Sequence, residues 1–164
     1  MPLSLGSTSW IPSSSGTIRN NDLTAADDGV FGAGSDRAPR GNGWSYVQLK
    51  NPVGSGITVL IDYIQANSTC DVELKRYDSD LSTDIGNGLD LNGNATSSSA
   101  HLRTGDMDAP GYGTSIATFG GSLTDTSWGM LNSYPIEILE GDGIMVAGVD
   151  INNAVFAYYT WREI

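Results

Sequence analysis

From Trp44 onward the apolar positions of this 164-residue chain recur at every second residue, in short runs separated by Gly, Asn, Asp and Ser. A two-residue period sends alternate side chains to opposite faces of an extended chain, so each run predicts a strand with one buried face. Trp44-Ser-Tyr-Val-Gln-Leu-Lys50 places Trp44, Tyr46, Gln48 and Lys50 on one face. Residues 57–64 are rich in β-branched side chains and long enough for a central strand. In 70–77, Cys70, Val72 and Leu74 point inward while Asp71, Glu73 and Lys75 point outward. Further strands are expected near 100–103, 115–119 and 128–131, then at 135–140, 143–149 and 154–163, with 78–99 as a loop.

The last run, Ala154-Val-Phe-Ala-Tyr-Tyr-Thr-Trp-Arg-Glu163, is apolar on both faces. Such a strand must be covered on both sides, and in a small all-β domain the second cover is often another subunit. Phe156, Tyr158, Tyr159 and Trp161 are therefore the expected subunit-interface residues. Residues 1–43 carry little periodicity: Trp10-Ile-Pro12 leads into Ser13-Ser-Ser-Gly16 and a polar stretch with Gly32-Ala-Gly34. They read as an extended arm or loose hairpin, either a mobile terminus or an arm that orders on a partner with Trp10, Ile11, Ile18 and Phe31 as its anchors. The chain thus divides into an arm, 1–43, and a β-sandwich domain, 44–164. The expected fold is all-β, an antiparallel two-sheet sandwich, jelly-roll-like, with roughly nine or ten strands and an extended N-terminal arm.

Charge narrows the partners. Nineteen acidic residues against eight basic ones leave a net charge of −11. No basic stripe is available to neutralise phosphates, so neither nucleic acid nor an anionic membrane is an expected partner. No run approaches the ~18 apolar residues of a membrane span, and the first residues lack the pattern of a secretory signal, so export by that route is not expected. The single cysteine, Cys70, forms no internal disulfide and fits a small core residue.

Catalytic chemistry finds no assembled motif. His101 is the only histidine, no Gly-x-Ser-x-Gly elbow occurs, and no phosphate-binding loop is present. One histidine and one cysteine make no transition-metal site. The segment from Asp78 through Asp80, Asp84, Asn87, Asp90, Asn92 and Asn94 is rich in hard oxygen donors, but it departs from known calcium-loop spacings, and these are ordinary turn residues. No enzyme, metal or cofactor is expected. Tyr112, Trp128 and Tyr134 lie near loops and would suit sugar contact.

Four pieces carry a resemblance: Tyr46-Val-Gln-Leu-Lys50-Asn-Pro; Val72-x-Leu-x-Arg76-Tyr77-Asp78-x-Asp80-Leu81; Leu102-Arg-Thr-Gly105; and Pro135-Ile-x-Ile-x-x-Gly141-x-Gly143 leading to Tyr159-Thr-Trp161-Arg-Glu163. Together they span residues 44–164, and the pattern resembles small β-sandwich decoration (cementing) or head-fibre proteins of tailed bacteriophages. The resemblance implies a non-enzymatic virion protein on the capsid surface, a homotrimer bound to the major capsid protein. Trp10, Ile11, Ile18 and Arg19 of the arm are the capsid-attachment candidates. The alternative is a fibre, tail or carbohydrate-binding module that recognises a host-surface glycan through loops 78–99 and 105–114.

Overall fold

A computed structural model describes residues 29–37, 43–93, 97–109, 111–119 and 128–164. Among them are ten strands and no helix: β1 (Val30–Arg37), β2 (Trp44–Lys50), β3 (Val59–Ser68), β4 (Val72–Arg76), β5 (Thr83–Asp90), β6 (Ser97–Met107), β7 (Thr114–Phe119), β8 (Trp128–Ile138), β9 (Gly143–Gly148) and β10 (Val155–Glu163). They form one continuous antiparallel sheet in the order β7-β4-β9-β2-β6-β5-β1-β10-β3-β8. The fold is all-β and antiparallel, as the two-residue period requires. The expected pair of separate sheets is instead one sheet that curls.

The curl is located where pairing is weakest. β1 pairs with β10 along its whole length, but meets β5 only at Phe31↔Asp90 and Gly32↔Leu89. On one side lies a six-stranded wing ending in β5; on the other, a four-stranded wing starting with β1. The inward residues of both wings merge into one core. Val47, Leu49, Val72, Leu74, Leu102, Ile144 and Val146 come from the first, and Ile61, Ile64, Val155, Ala157, Tyr159 and Trp161 from the second. The Tyr159 hydroxyl donates to the Val47 carbonyl across the core at 2.8 Å.

A carboxylate fastens the wings at one end. β5 and β6 change register between Asn87↔His101 and Leu89↔Ser97, which leaves the ladder around residues 98–100 irregular. Glu163 Oε1 accepts from the amides of Ser99 and Ala100 at 2.9 and 3.0 Å and from the Ser98 hydroxyl. An ionised acceptor fits this bulge because charged hydrogen bonds are roughly twice as strong as neutral ones.

Two strands lie where the sequence pattern predicts none. β1 falls inside the expected arm, so the chain enters the sheet at Val30 rather than at Trp44; residues 1–28 lie outside the described residues. Its outward positions are Gly32 and Gly34, where a Cβ would meet the Tyr158 side chain at 2.6 and 2.9 Å. The aromatic ring of β10 supplies the cover that side chains of β1 would otherwise give, and the alternation vanishes from the sequence. β5 falls inside the expected loop 78–99, its alternation broken by two register shifts against β6. The runs near 128–131 and 135–140 belong to the single strand β8, whose pairing with β3 shifts register between Ile61 and Tyr63.

Candidate functional site

β2 is buried on both faces. Val47 and Leu49 enter the core, while Tyr46, Gln48 and Lys50 on the outer face are also shielded, Lys50 at 3% exposure. The cover is the segment 77–82. Gln48 Nε2 donates to the carbonyls of Tyr77 and Ser79, both at 3.0 Å, and Gln48 Oε1 accepts from the Leu81 amide at 3.2 Å. Lys50 Nζ donates to the carbonyl of Asp78 and, at 2.6 Å, to that of Gly141. Two polar side chains on a strand face thus replace the ladder partners that an irregular loop lacks. Beneath the loop, Tyr46, Leu81, Met145 and Ala147 form a second small core.

Strand register assembles the polar cleft beside this loop. Lys50 stands opposite His101, which stands opposite Asn87; one row on, Gln48 faces Arg103, which faces Asp84. The result is a hollow of about 500 Å³ lined by Lys50, Asp78, Asp80, Asp84, His101 and Arg103, with Pro52 and Val53 at one side. Asp84 Oδ2 lies 2.9 Å from His101 Nδ1 and 3.3 Å from Arg103 Nη1, and Arg103 also reaches Asp80 at 3.5 Å. Burial pushes the Asp84 carboxyl up, but the His101 hydrogen bond, the Gly86 amide and the Arg103 charge outweigh it and hold the group below its usual range. Burial pushes the Lys50 ammonium down, against the pull of Asp80, Asp142 and Asp78.

His101 is held from two sides. His101 Nε2 lies 3.4 Å from the Asn87 amide nitrogen, so with Nδ1 on Asp84 both ring nitrogens are engaged. A histidine acting as base needs one nitrogen aimed at a nucleophile. Asp80 and Asp84 turn onto Arg103, and the Asn87 amide bonds the Ser98 carbonyl, so the oxygen-rich segment does not converge on a cation. Among the described residues no group of three or more metal-ligating side chains gathers.

A second hollow, of about 560 Å³, lies across Asp78 from the first, lined by Arg76, Tyr77, Gly113, Thr114 and Asp142. Arg76 is bound to Asp142 and donates to the Glu137 carbonyl at 3.1 Å. Tyr77 and Tyr112 meet edge to face with ring centres 6.3 Å apart, and Tyr112 is 40% exposed. The side chains of Trp128 and Tyr134, the other aromatics expected near a sugar, lie outside the described residues.

The four β10 aromatics separate. Tyr159 and Trp161 are fully buried in the chain's own core, whereas Phe156 is 37% exposed and Tyr158 lies half-buried over β1. The expected subunit interface is thereby reduced to Phe156 and Tyr158, because the second cover for the inner pair is the opposite wing. Around the outer pair are Leu89 at 75% exposure, Leu91 at 51% and the half-buried Tyr63. Gly32↔Leu89, Gly34↔Tyr158 and Tyr63↔Thr160 place these on one outer face. Trp10, Ile11, Ile18 and Arg19 lie outside the described residues.

The buried tyrosines make stability depend on alkaline pH. Burial raises Tyr46 from 10.0 to about 12, and raises Tyr159 as well. Both folded-state values exceed those of the unfolded chain, so stability is intact below pH 10 and falls as pH rises toward 12. Urea denaturation at stepped pH is expected to show this decline, and Tyr46→Phe is expected to make it shallower. A decline of the same slope in the variant would remove Tyr46 from the account.

Comparison with protein-family models, with curated proteins and with solved structures finds no match to this chain.

Proposed function

We propose that the protein is a non-enzymatic virion component that decorates and stabilises a bacteriophage capsid as an oligomer, with three copies per assembly. The observation that carries this reading is the outer face of β5, β1, β10 and β3. On a chain of net charge −11 it presents Leu89, Leu91, Phe156, Tyr158 and Tyr63, while Arg162 is neutralised by Asp62 at 2.8 Å. Contiguous exposed apolar surface on a soluble domain marks an interaction site. For copies of one acidic chain, a face whose exposed charges are few, Asp36 opposite Phe156 among them, is where approach costs least repulsion.

The rest of the molecule fits that role. The two wings of the curled sheet act as the layers of a jelly-roll-like sandwich, and His101 has no free nitrogen for chemistry. Bridging several shell subunits by one oligomer multiplies weak contacts without new chemistry. The segment bearing Trp10, Ile11, Ile18 and Arg19 precedes β1, and we assign it to the major capsid protein as attachment arm.

Self-association is tested with Leu89→Asp and Phe156→Asp, chosen because both side chains are exposed. Sedimentation velocity is expected to show an oligomer for the parent chain and a monomer for the double variant, with thermal midpoints alike. A parent chain that is monomeric at micromolar concentration would remove the observation on which this reading rests.

A further inference from the structure

We propose that the groove beside residues 77–82, made up of the two hollows that share Asp78, binds a neutral oligosaccharide. The inference is independent of capsid decoration, since neither Phe156 nor Leu89 lines either hollow.

Each feature of the groove removes one class of ligand. Four carboxylates (Asp78, Asp80, Asp84 and Asp142) face three cations (Lys50, Arg76 and Arg103), which leaves the lining one negative charge in excess. The cations are also committed: Lys50 to two carbonyls, Arg76 to Asp142, Arg103 to Asp84. An anionic ligand would meet net repulsion and find each cation already paired. An apolar ligand would strip water from carboxylates without replacing it. A metal ion would have to displace Arg103 from Asp80 and Asp84.

A neutral sugar fits what remains. Its hydroxyls donate to carboxylate oxygens such as those of Asp80, whose side chain is 55% exposed, and accept from the Thr114 hydroxyl. Its C–H face packs on an aromatic ring, and Tyr112, which stands at the rim of the second hollow next to Gly113 and edge to face with Tyr77, offers one. Hollows of about 500 and 560 Å³ lie within the usual range for small-ligand sites, so adjacent sugar units would occupy the two in sequence. The β4 strand fixes Arg76, and Gln48 and Lys50 clamp the loop beside it, so most of the groove exists before a ligand arrives, which limits the entropy lost on binding.

The test is saturation-transfer NMR on the full chain with short gluco-, galacto- and manno-oligosaccharides, and with sialylated and sulfated sugars as comparators. Titration of the strongest binder into Tyr112→Ala, Tyr112→Phe and Asp80→Asn follows, with thermal midpoints recorded for each. The expected result is transfer to at least one neutral series and little to the charged sugars. Affinity should fall about ten-fold or more in Tyr112→Ala, survive in Tyr112→Phe, and weaken several-fold in Asp80→Asn at unchanged thermal midpoint. Absence of transfer to every neutral series overturns the proposal. So does preference for the charged sugars, and so does binding undiminished in Tyr112→Ala. Monomeric behaviour in sedimentation would defeat the assembly reading and leave this result untouched.

Discussion

Trp161→Ala is expected to destabilise the fold by about 3–5 kcal/mol, the range for removing a large aromatic side chain from a packed core. Trp161 is fully buried where the two wings meet. Its ring lies 6.1 Å from that of Phe31 on β1, its indole N–H reaches Glu163 Oε1 at 3.3 Å, and its far edge rests on Gly88 of β5. β1, β5 and the carboxylate fastening therefore lose a partner together. Gly88→Ala approaches the same contact from the other side, since a methyl there would overlap the ring of a tryptophan with no room to retreat. Chemical denaturation of both variants measures the effect. The informative comparison is with Phe156→Ala, on the outer face of the same strand, which is expected to change stability little in the isolated chain. If Trp161→Ala leaves the denaturation midpoint in place and alters only oligomeric state, the tryptophan belongs to a subunit interface and the placement of the wings is mistaken.

The second large effect is expected at Lys50. Lys50→Met keeps most of the aliphatic stem but leaves the carbonyls of Asp78 and Gly141 without their donor. Both bonds are part-buried, and a hydrogen bond to a charged group is worth roughly 1.5–3 kcal/mol, so a loss of about 2–4 kcal/mol is expected. For a chain of this size that corresponds to a fall in thermal midpoint of roughly 4–16 °C. The damage should also be local. With the clamp gone, amides near residues 77–82 are expected to exchange with deuterium faster than those of β3 and β10. An unchanged midpoint with uniform exchange would mean that Gln48 alone holds the loop.

The two-residue period was legible wherever a strand alternates cleanly, as in β2 and β4, and there the inward residues Val72 and Leu74 are in the core as their spacing predicts. It was illegible where packing asks for absence of a side chain. Gly32, Gly34 and Gly88 are the positions over which Tyr158 and Trp161 lie, and they look like turn residues in isolation. β1 and β5 were hidden for that reason. β10 shows the opposite limit: a strand apolar on both faces announces two covers without saying which is the chain's own. Tyr159 and Trp161 face the opposite wing, and Phe156 and Tyr158 face outward, a distinction that depends on the register of β10 with β1 and β3.

The cleft was half visible. His101 and the acidic residues 78–84 stood out by type, but nothing local shows that Lys50, His101 and Asn87 form one row and Gln48, Arg103 and Asp84 the next. Gln48 and Lys50 carried the usable signal: two polar side chains on the same face as Trp44 and Tyr46 need partners, and an irregular segment rich in backbone carbonyls supplies them.

The central claim is assembly on a viral shell, and co-sedimentation with assembled capsids lacking this protein tests it most directly, with unassembled coat protein as control. Saturable binding to closed shells alone, at a multiple of three copies per site and lost when residues 1–28 are removed, is the predicted result. Failure to sediment with shells, or equal binding to unassembled coat protein, would contradict it.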